Sequence, residues 1–472
     1  MWSAVRNGCS DDVMNPIALD MPDLDAIYFD PSDESIVGKQ TTDPLRFAFS
    51  GKTGPHVGGS SVPIPQSKTQ DAMLNALNSA GSIKGRCLYI HIPFCRVRCT
   101  YCNFFQYASS EQLIAEYFAA LVMEIERKAA FVWTQSLPFQ AVYVGGGTPT
   151  DLSAEQIKRL GQLIRERFPL TPDCEITLEG RVNRFSEAKF EAALTGGFNR
   201  FSLGVQSFDS QVRRAAKRLD DGDVVLTTLQ KMVAYNAAPI VIDLLYGLPY
   251  QTLDIWQNDL EMYIESGVDG VDLYQLLELQ NLPMARLIEQ GKLPQPADTV
   301  MKAEMYQMGA DFMARFHQRR LSVNHWASTN RERSIYNSLA KTNAEVLPIG
   351  AGAGGNFNGV SAMQHRDMTA YIEAIKQQQF PVGMAFRADP NAVSLNHFKA
   401  AFDRGVLLKH DFHPWFERLM PLFEIWQQRG LVTITAQAIA LTQAGQFWSV
   451  NLATNLIKII QSDKANRLAL AG

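Results

Sequence analysis

Residues 87–102 read CLYIHIPFCRVRCTYC, and the whole chain is best read outward from them. The first six residues form a near-continuous apolar run, the pattern of a strand covered on both faces. The loop behind it spaces Cys95, Cys99 and Cys102 as C-x3-C-x2-C. Three thiolates on one short loop can converge on one small inorganic cluster, because iron–sulfur centres are held by Cys thiolates. Three ligands rather than four would leave one iron of a [4Fe–4S] cluster open to a non-protein ligand. Zinc is the competing metal, but a structural zinc site needs a fourth ligand, and the nearest spare group, His91, sits inside the strand pattern.

From this strand onward, strands and helices alternate. A helix over 110–132 repeats Leu113, Tyr117, Leu121 and Ile125 every fourth residue. Strand 141–144 precedes a GGGTP turn, and Ser153 is the N-cap of the next helix. Strands at 175–178, 200–205, 240–245 and 270–275 follow, with helices at 187–194, 223–235, 255–266 and 298–316. Strands separated by helices imply parallel pairing through right-handed crossovers. Six units are too few for an eight-fold barrel, so the reading is α/β: a partial (β/α)6 barrel with its functional groups at the C-terminal strand ends.

The flanks differ. Residues 1–80 are rich in Asp, Pro, Gly and Ser and predict an irregular N-terminal arm or cap, with a short helix at 70–79. The barrel spans 81–330. Residues 331–472 form a C-terminal α+β region that contributes to the substrate cavity, with a small winged-helix-like unit over 416–460.

Composition narrows the class. The 472 residues carry 44 Lys+Arg against 48 Asp+Glu, a formal net charge of −4, which argues against a nucleic-acid partner. No apolar run approaches the ~20 residues needed to span a bilayer, and the opening residues lack the layout of a secretory signal. Six cysteines, four of them within residues 87–102, fit a clustered thiolate site in a reducing cytoplasm better than a disulfide framework. Cys9, Cys87 and Cys174 read as ordinary thiols.

Together LYIHIPFC (88–95), the cysteine loop, GGGTPT (145–150), GVQSF (204–208) and DLLYGLP (243–249) resemble the radical S-adenosylmethionine (SAM) superfamily. Within it they are similar to the oxygen-independent coproporphyrinogen dehydrogenase branch, over about residues 88–445. The resemblance implies that Cys95, Cys99 and Cys102 bind a [4Fe–4S] cluster and that SAM occupies its open iron. One electron then cleaves SAM to methionine and a 5′-deoxyadenosyl radical. Gly146 and Gly147 would let backbone approach SAM, Tyr89 would pack beside it, and Glu179 would accept from its ribose. By the same matching Gln206, Arg218 and Asp243, with Tyr101, Gly147 and Thr148, would hold a second SAM.

Two branch activities fit less well. Asn103-Phe104 follows Cys102 where the dehydrogenases carry a further cysteine, and haem-chaperone relatives begin almost at the cluster strand. The long arm, with DPLRFAF at 43–49, and GAGAGG at 350–355 look like HutW/ChuW-type anaerobic haem-degrading methyltransferases. That resemblance implies haem as substrate, two SAM molecules, a linear tetrapyrrole product and released iron. It also implies a flavodoxin- or ferredoxin-type electron donor, and a haem-delivering or product-reducing partner. His325, after an expected strand, is the first candidate for a substrate-cavity histidine, ahead of His317, His365, His397, His410 and His413.

Overall fold

Six apolar runs become six neighbouring parallel strands: β1 (Arg86–Ile92), β2 (Phe139–Gly146), β3 (Leu170–Arg181), β4 (Arg200–Gln206), β5 (Ile240–Tyr246) and β6 (Gly270–Gln275). These are the elements of a computed structural model that describes residues 27–53, 61–81, 84–342, 344–387, 392–412 and 415–471. Cys9, His413 and the first 26 residues of the expected arm lie outside the described residues. Strands β1 and β5 are buried along their length except for a half-buried residue in each, Tyr89 and Asp243, as expected of a sheet covered on both faces.

The crossovers are α1 (Glu111–Ala129), α2 (Ala154–Arg167), α3 (Glu187–Gly196), α4 (Gly222–Ala234) and α5 (Leu253–Ser266), and α6 (Thr299–Arg315) follows β6. Local chemistry sets their starts. Ser153 caps α2 in a capping box with Gln156, and Ser110, Ser186, Thr252 and Asp298 cap α1, α3, α5 and α6.

The barrel strands are the middle of a thirteen-stranded sheet. Beyond β6 lies β7 (His325–Ala327), antiparallel, with His325 opposite Asp272. Beyond β1 lies β8 (Glu345–Ile349), which pairs in parallel, Leu347 opposite Leu88. An antiparallel meander of β9 (Gly354–Phe357), β10 (Val360–Gln364) and β11 (Val382–Arg387) continues that edge. The sheet therefore runs on past residue 330. Residues 350–353 of the GAGAGG stretch turn between β8 and β9, and its last two glycines open β9.

A separate three-stranded antiparallel sheet, β12 (Val406–Leu408), β13 (Val432–Ile434) and β14 (Ala438–Leu441), packs with helices Ala392–Arg404, Met420–Gln428 and Ser449–Ala471. This small α+β unit starts upstream of residue 416, at Ala392. The arm docks on it. Trp448 Nε1 donates to the carbonyls of Pro44 and Leu45, both at 3.0 Å, and the Phe49 ring meets Trp448 edge-on at 5.4 Å. Leu45 and Phe49 are buried, whereas Phe47 is 48% exposed. The arm's helix starts earlier than its sequence predicts, at Gln66, because its buried stripe of Thr69, Met73, Ala76 and Leu77 extends one turn upstream.

Candidate active site

The cysteine loop leaves β1 at its C-terminal end and is fixed on three sides. Phe94–Cys95 pairs with Tyr107–Ala108. Thr100 Oγ1 donates to the Ala215 carbonyl at 3.0 Å, and the Met284 amide donates to the Thr100 carbonyl at 2.9 Å. Cys95 and Cys99 are buried and Cys102 is half-buried. Burial pushes the Cys95 and Cys102 thiols up, and the charge of nearby Cys99 raises both further. Thr148 Oγ1 lies 3.2 Å from Cys95 Sγ, and Arg181 reaches the same sulfur at 3.5 Å while donating to the Val97 carbonyl at 2.9 Å.

Arg181 was not among the residues singled out from the sequence. It sits two positions after Glu179 on β3, and the two-residue period of a strand places both on one face. Glu179 Oε2 accepts from the Gly146 amide at 3.2 Å. Burial holds this carboxyl up at about 7, against the pull of the Gly146 amide, Arg181 and Arg218.

One strand further on, Gly204 of β4 is registered against Asp243 of β5, and the next pair is Gln206 with Leu244. This bulge leaves Val205 unpaired and turns Gln206 into the left-handed region at φ 76°. Arg218 ties the ends together, donating to the Gly204 carbonyl at 3.1 Å and to the Tyr101 hydroxyl at 2.8 Å. Asp243 is pushed up by burial and by the charges of Asp272 and Glu179. On β1, the Tyr89 hydroxyl lies 2.9 Å from His91 Nδ1, and burial lowers that imidazole to about 4. Thus the cysteines, Tyr89, Tyr101, Gly146, Gly147, Thr148, Glu179, Gln206, Arg218 and Asp243 gather along the C-terminal ends of β1–β5.

The glycine turn has a reason inside the chain. A Cβ at Gly147 would lie 2.5 Å from the Phe94 carbonyl oxygen, and Gly146, at φ 121°, would press one onto the His91 ring. The chain's own backbone and His91 require glycine here, whatever a ligand adds.

His325 stands apart from this group. Its Nδ1 lies 2.8 Å from Asp272 Oδ2 and its Nε2 3.3 Å from Glu332 Oε1, while Arg200 holds Glu332 through two contacts of 2.9 Å. Although burial alone would lower it, the two carboxylates raise His325 to about 9. Nδ1 is thus engaged by Asp272, whereas Nε2, near Glu332, makes no hydrogen bond. The structure places His325 in a buried charge network with Asp272, Glu332 and Arg200, away from the cysteine loop.

A cavity of about 630 Å³ opens above β5 and β6, bounded by Tyr246, Tyr274 and Gln275 at the strand ends, Lys52 from the arm, and Phe402 and Phe447 from the C-terminal unit. Sequence reasoning missed the tyrosines, which are ordinary apolar strand residues until the roof is known. A second cavity of about 360 Å³ shares Leu277 with the first and reaches Tyr101 beside the cysteine loop.

The site suits a cluster with a polar ligand beside it. Among the described residues no three metal-binding side chains converge on one point, which a single ion needs; a four-iron cluster takes each thiolate on a different iron. His91 Nε2, Arg218 Nε and Gln275 Oε1 are buried without a hydrogen-bond partner around the strand ends, where a polar ligand would satisfy them.

A partial parallel barrel with three cysteines behind its first strand defines a radical SAM enzyme, and residues 89–263 match the radical SAM superfamily model. The chain is 38% identical over 403 residues to anaerobilin synthase of Escherichia coli O157:H7, covering 85% of this chain and 90% of that one. It is 29% identical over 294 residues to haem chaperone HemW of Bacillus subtilis (strain 168), covering 62% and 76%. The structure of coproporphyrinogen III oxidase (HemN) from Escherichia coli superposes with a TM-score of 0.72 at 23% identity, covering 84% of this chain and 94% of that one. The chain belongs to the radical SAM superfamily, in the family of anaerobilin synthase, and uses a [4Fe–4S] cluster and SAM. Among the described residues no helix is long and apolar enough to cross a membrane.

Proposed function

We propose that this enzyme methylates and opens the porphyrin ring of haem without oxygen, giving a linear tetrapyrrole and releasing iron in the cytoplasm. The observation that carries the reading is the 630 Å³ cavity, lined in part by Lys52 of the arm and adjoined by a second cavity that reaches Tyr101, on a chain 38% identical to anaerobilin synthase. A cavity of this size is within the range that buries most of an organic ligand.

When bound, the cluster and two SAM molecules supply a carbon radical and a methyl carbon. The chain's residues position and shield them. Cys95, Cys99 and Cys102 hold the cluster, and Arg181 offsets thiolate charge at Cys95. Tyr89, Gly146, Gly147 and Glu179 serve the first SAM. Gln206, Arg218 and Asp243, with Tyr101, Gly147 and Thr148, serve the second. The arm excludes water from the cavity above them. A flavodoxin- or ferredoxin-type donor supplies electrons, and a haem-delivering or product-reducing protein acts before or after turnover.

Anaerobic incubation with haem, SAM and a reductant, read by mass spectrometry, tests the proposal. The expected product is a tetrapyrrole carrying one methyl from SAM. Unchanged haem alongside continued SAM cleavage would overturn it.

A further inference from the structure

The wall of the large cavity carries Lys52, Lys341 and Lys399. Lys302, just below it, pairs with Glu278, and Lys341 lies 2.9 Å from Asp403. Lys399 adds a third positive group to the lining. Lys52, from the arm, makes no ion pair among the described residues; its ammonium sits 3.8 Å over the Phe447 ring. That contact uses one side of a group with three donors and leaves the rest facing the cavity.

Lys52 is also held in place. Asn451, buried on the C-terminal helix, donates from Nδ2 to the Gly51 carbonyl at 3.0 Å and accepts from the Thr53 amide at 3.2 Å. One side chain therefore clamps the peptide groups on both sides of Lys52. A loop lysine with its backbone pinned and its ammonium over an aromatic ring loses little further freedom when an anion arrives.

We propose that Lys52 is the carboxylate anchor of this cavity and Asn451 its positioning residue, so that a tetrapyrrole enters with a propionate toward the arm and its ring toward Tyr274 and Gln275. This rests on the haem reading above. Burial and the charge of Lys302 push the Lys52 ammonium down to about 7, and an arriving carboxylate offsets both effects. The arm thereby acts as part of the specificity pocket as well as its roof.

The test compares ferric haem with its dimethyl ester, which keeps the ring and removes both acids. Binding to the full-length reconstituted protein is titrated by the Soret absorbance, for wild type, Lys52→Met, Lys52→Arg and Asn451→Ala, with each variant's thermal midpoint as a folding check. Wild type is expected to favour the free acid by about ten- to a hundredfold, the range of a charge-assisted hydrogen bond. Lys52→Met should lose that preference, Lys52→Arg should keep most of it, and Asn451→Ala should fall between. Haem turnover with equal affinity for acid and ester in wild type, or full preference retained in Lys52→Met, overturns the anchor alone. Failure of wild type to bind or consume either form overturns the haem reading, and the anchor with it.

Discussion

If Glu179 binds the first SAM as a carboxylate, the affinity for SAM depends on pH in a way the structure quantifies. The side chain is enclosed at the end of β3 and held up at about 7 by burial, from an ordinary value of 4.5. The raised pKa means that the ionised form grows as pH rises through about 7. A ligand whose hydroxyls donate to the carboxylate therefore binds more tightly at higher pH. With a midpoint of about 7, roughly one eleventh of the groups is ionised at pH 6 and roughly ten elevenths at pH 8, so this share of the affinity changes about tenfold.

SAM brings its own α-amine, which titrates near 7.7–8.0 and also alters binding. Glu179→Gln separates the two effects. Glutamine keeps an oxygen for the Gly146 amide but does not titrate, so the ratio of variant to wild-type Kd cancels the ligand's contribution. Anaerobic equilibrium dialysis of SAM at pH 6, 7 and 8 is expected to show that ratio rising about tenfold from pH 6 to pH 8. A ratio that stays flat would refute the contact, whatever the absolute affinities.

Cys99→Ala should abolish both cluster iron, measured after anaerobic reconstitution, and 5′-deoxyadenosine formation; full retention of either removes the cluster assignment. Asp243→Ala should depress methyl incorporation more than uncoupled SAM cleavage, and Glu179→Ala the reverse; identical phenotypes would count against two separate ligand roles. Glu332→Gln breaks the buried bidentate contact to Arg200 and weakens the charge facing His325, so it should cost about 3–5 kcal/mol in urea unfolding. A loss below about 1 kcal/mol would show that this network is solvated in a way its burial does not suggest.

The parts of the fold set by local chemistry were legible beforehand. Continuous apolar runs at 87–92 and 240–245 become β1 and β5, and Ser153 begins a helix because a capping serine acts within three residues. The cysteine spacing is local too. In the arm, Leu45 and Phe49 stand out as apolar anchors, but what they dock against does not, because Trp448 lies 403 positions from Leu45. The same holds for β8, whose parallel pairing with β1 has no signature in either segment. For Gly147, sequence offered one reason for glycine and geometry supplied another, the Phe94 backbone. His325 shows the limit most plainly: its neighbours Asp272 and Glu332 come from different segments, and only their convergence places it in a buried charge network.

The charges of the two neighbouring regions are opposite in sense, and this orders the ligands. At the ends of β3 and β5, Glu179 and Asp243 are carboxyls under desolvation, and the charge of Glu179 adds to the pressure on Asp243. Arg218 offsets part of that pressure on both. A sulfonium-bearing ligand placed among them stabilises the ionised forms, so SAM and the barrel interior relieve each other's cost of burial. Above β5 and β6 the lining carries more positive than negative groups, with Lys52 and Lys399 on the cavity wall beside the Lys341–Asp403 pair. A dianionic porphyrin is favoured there and disfavoured beside the two carboxylates. An enzyme that must keep a cationic cofactor and an anionic substrate in adjoining spaces without exchanging their positions can do so by this separation of charge, and like-charge repulsion makes the wrong arrangement costly. Lys52→Glu extends the acidic field into the substrate cavity, and by this reasoning it should weaken haem binding more than Lys52→Met does. Equal losses in the two variants would mean that Lys52 contributes contact area and not the sign of the field.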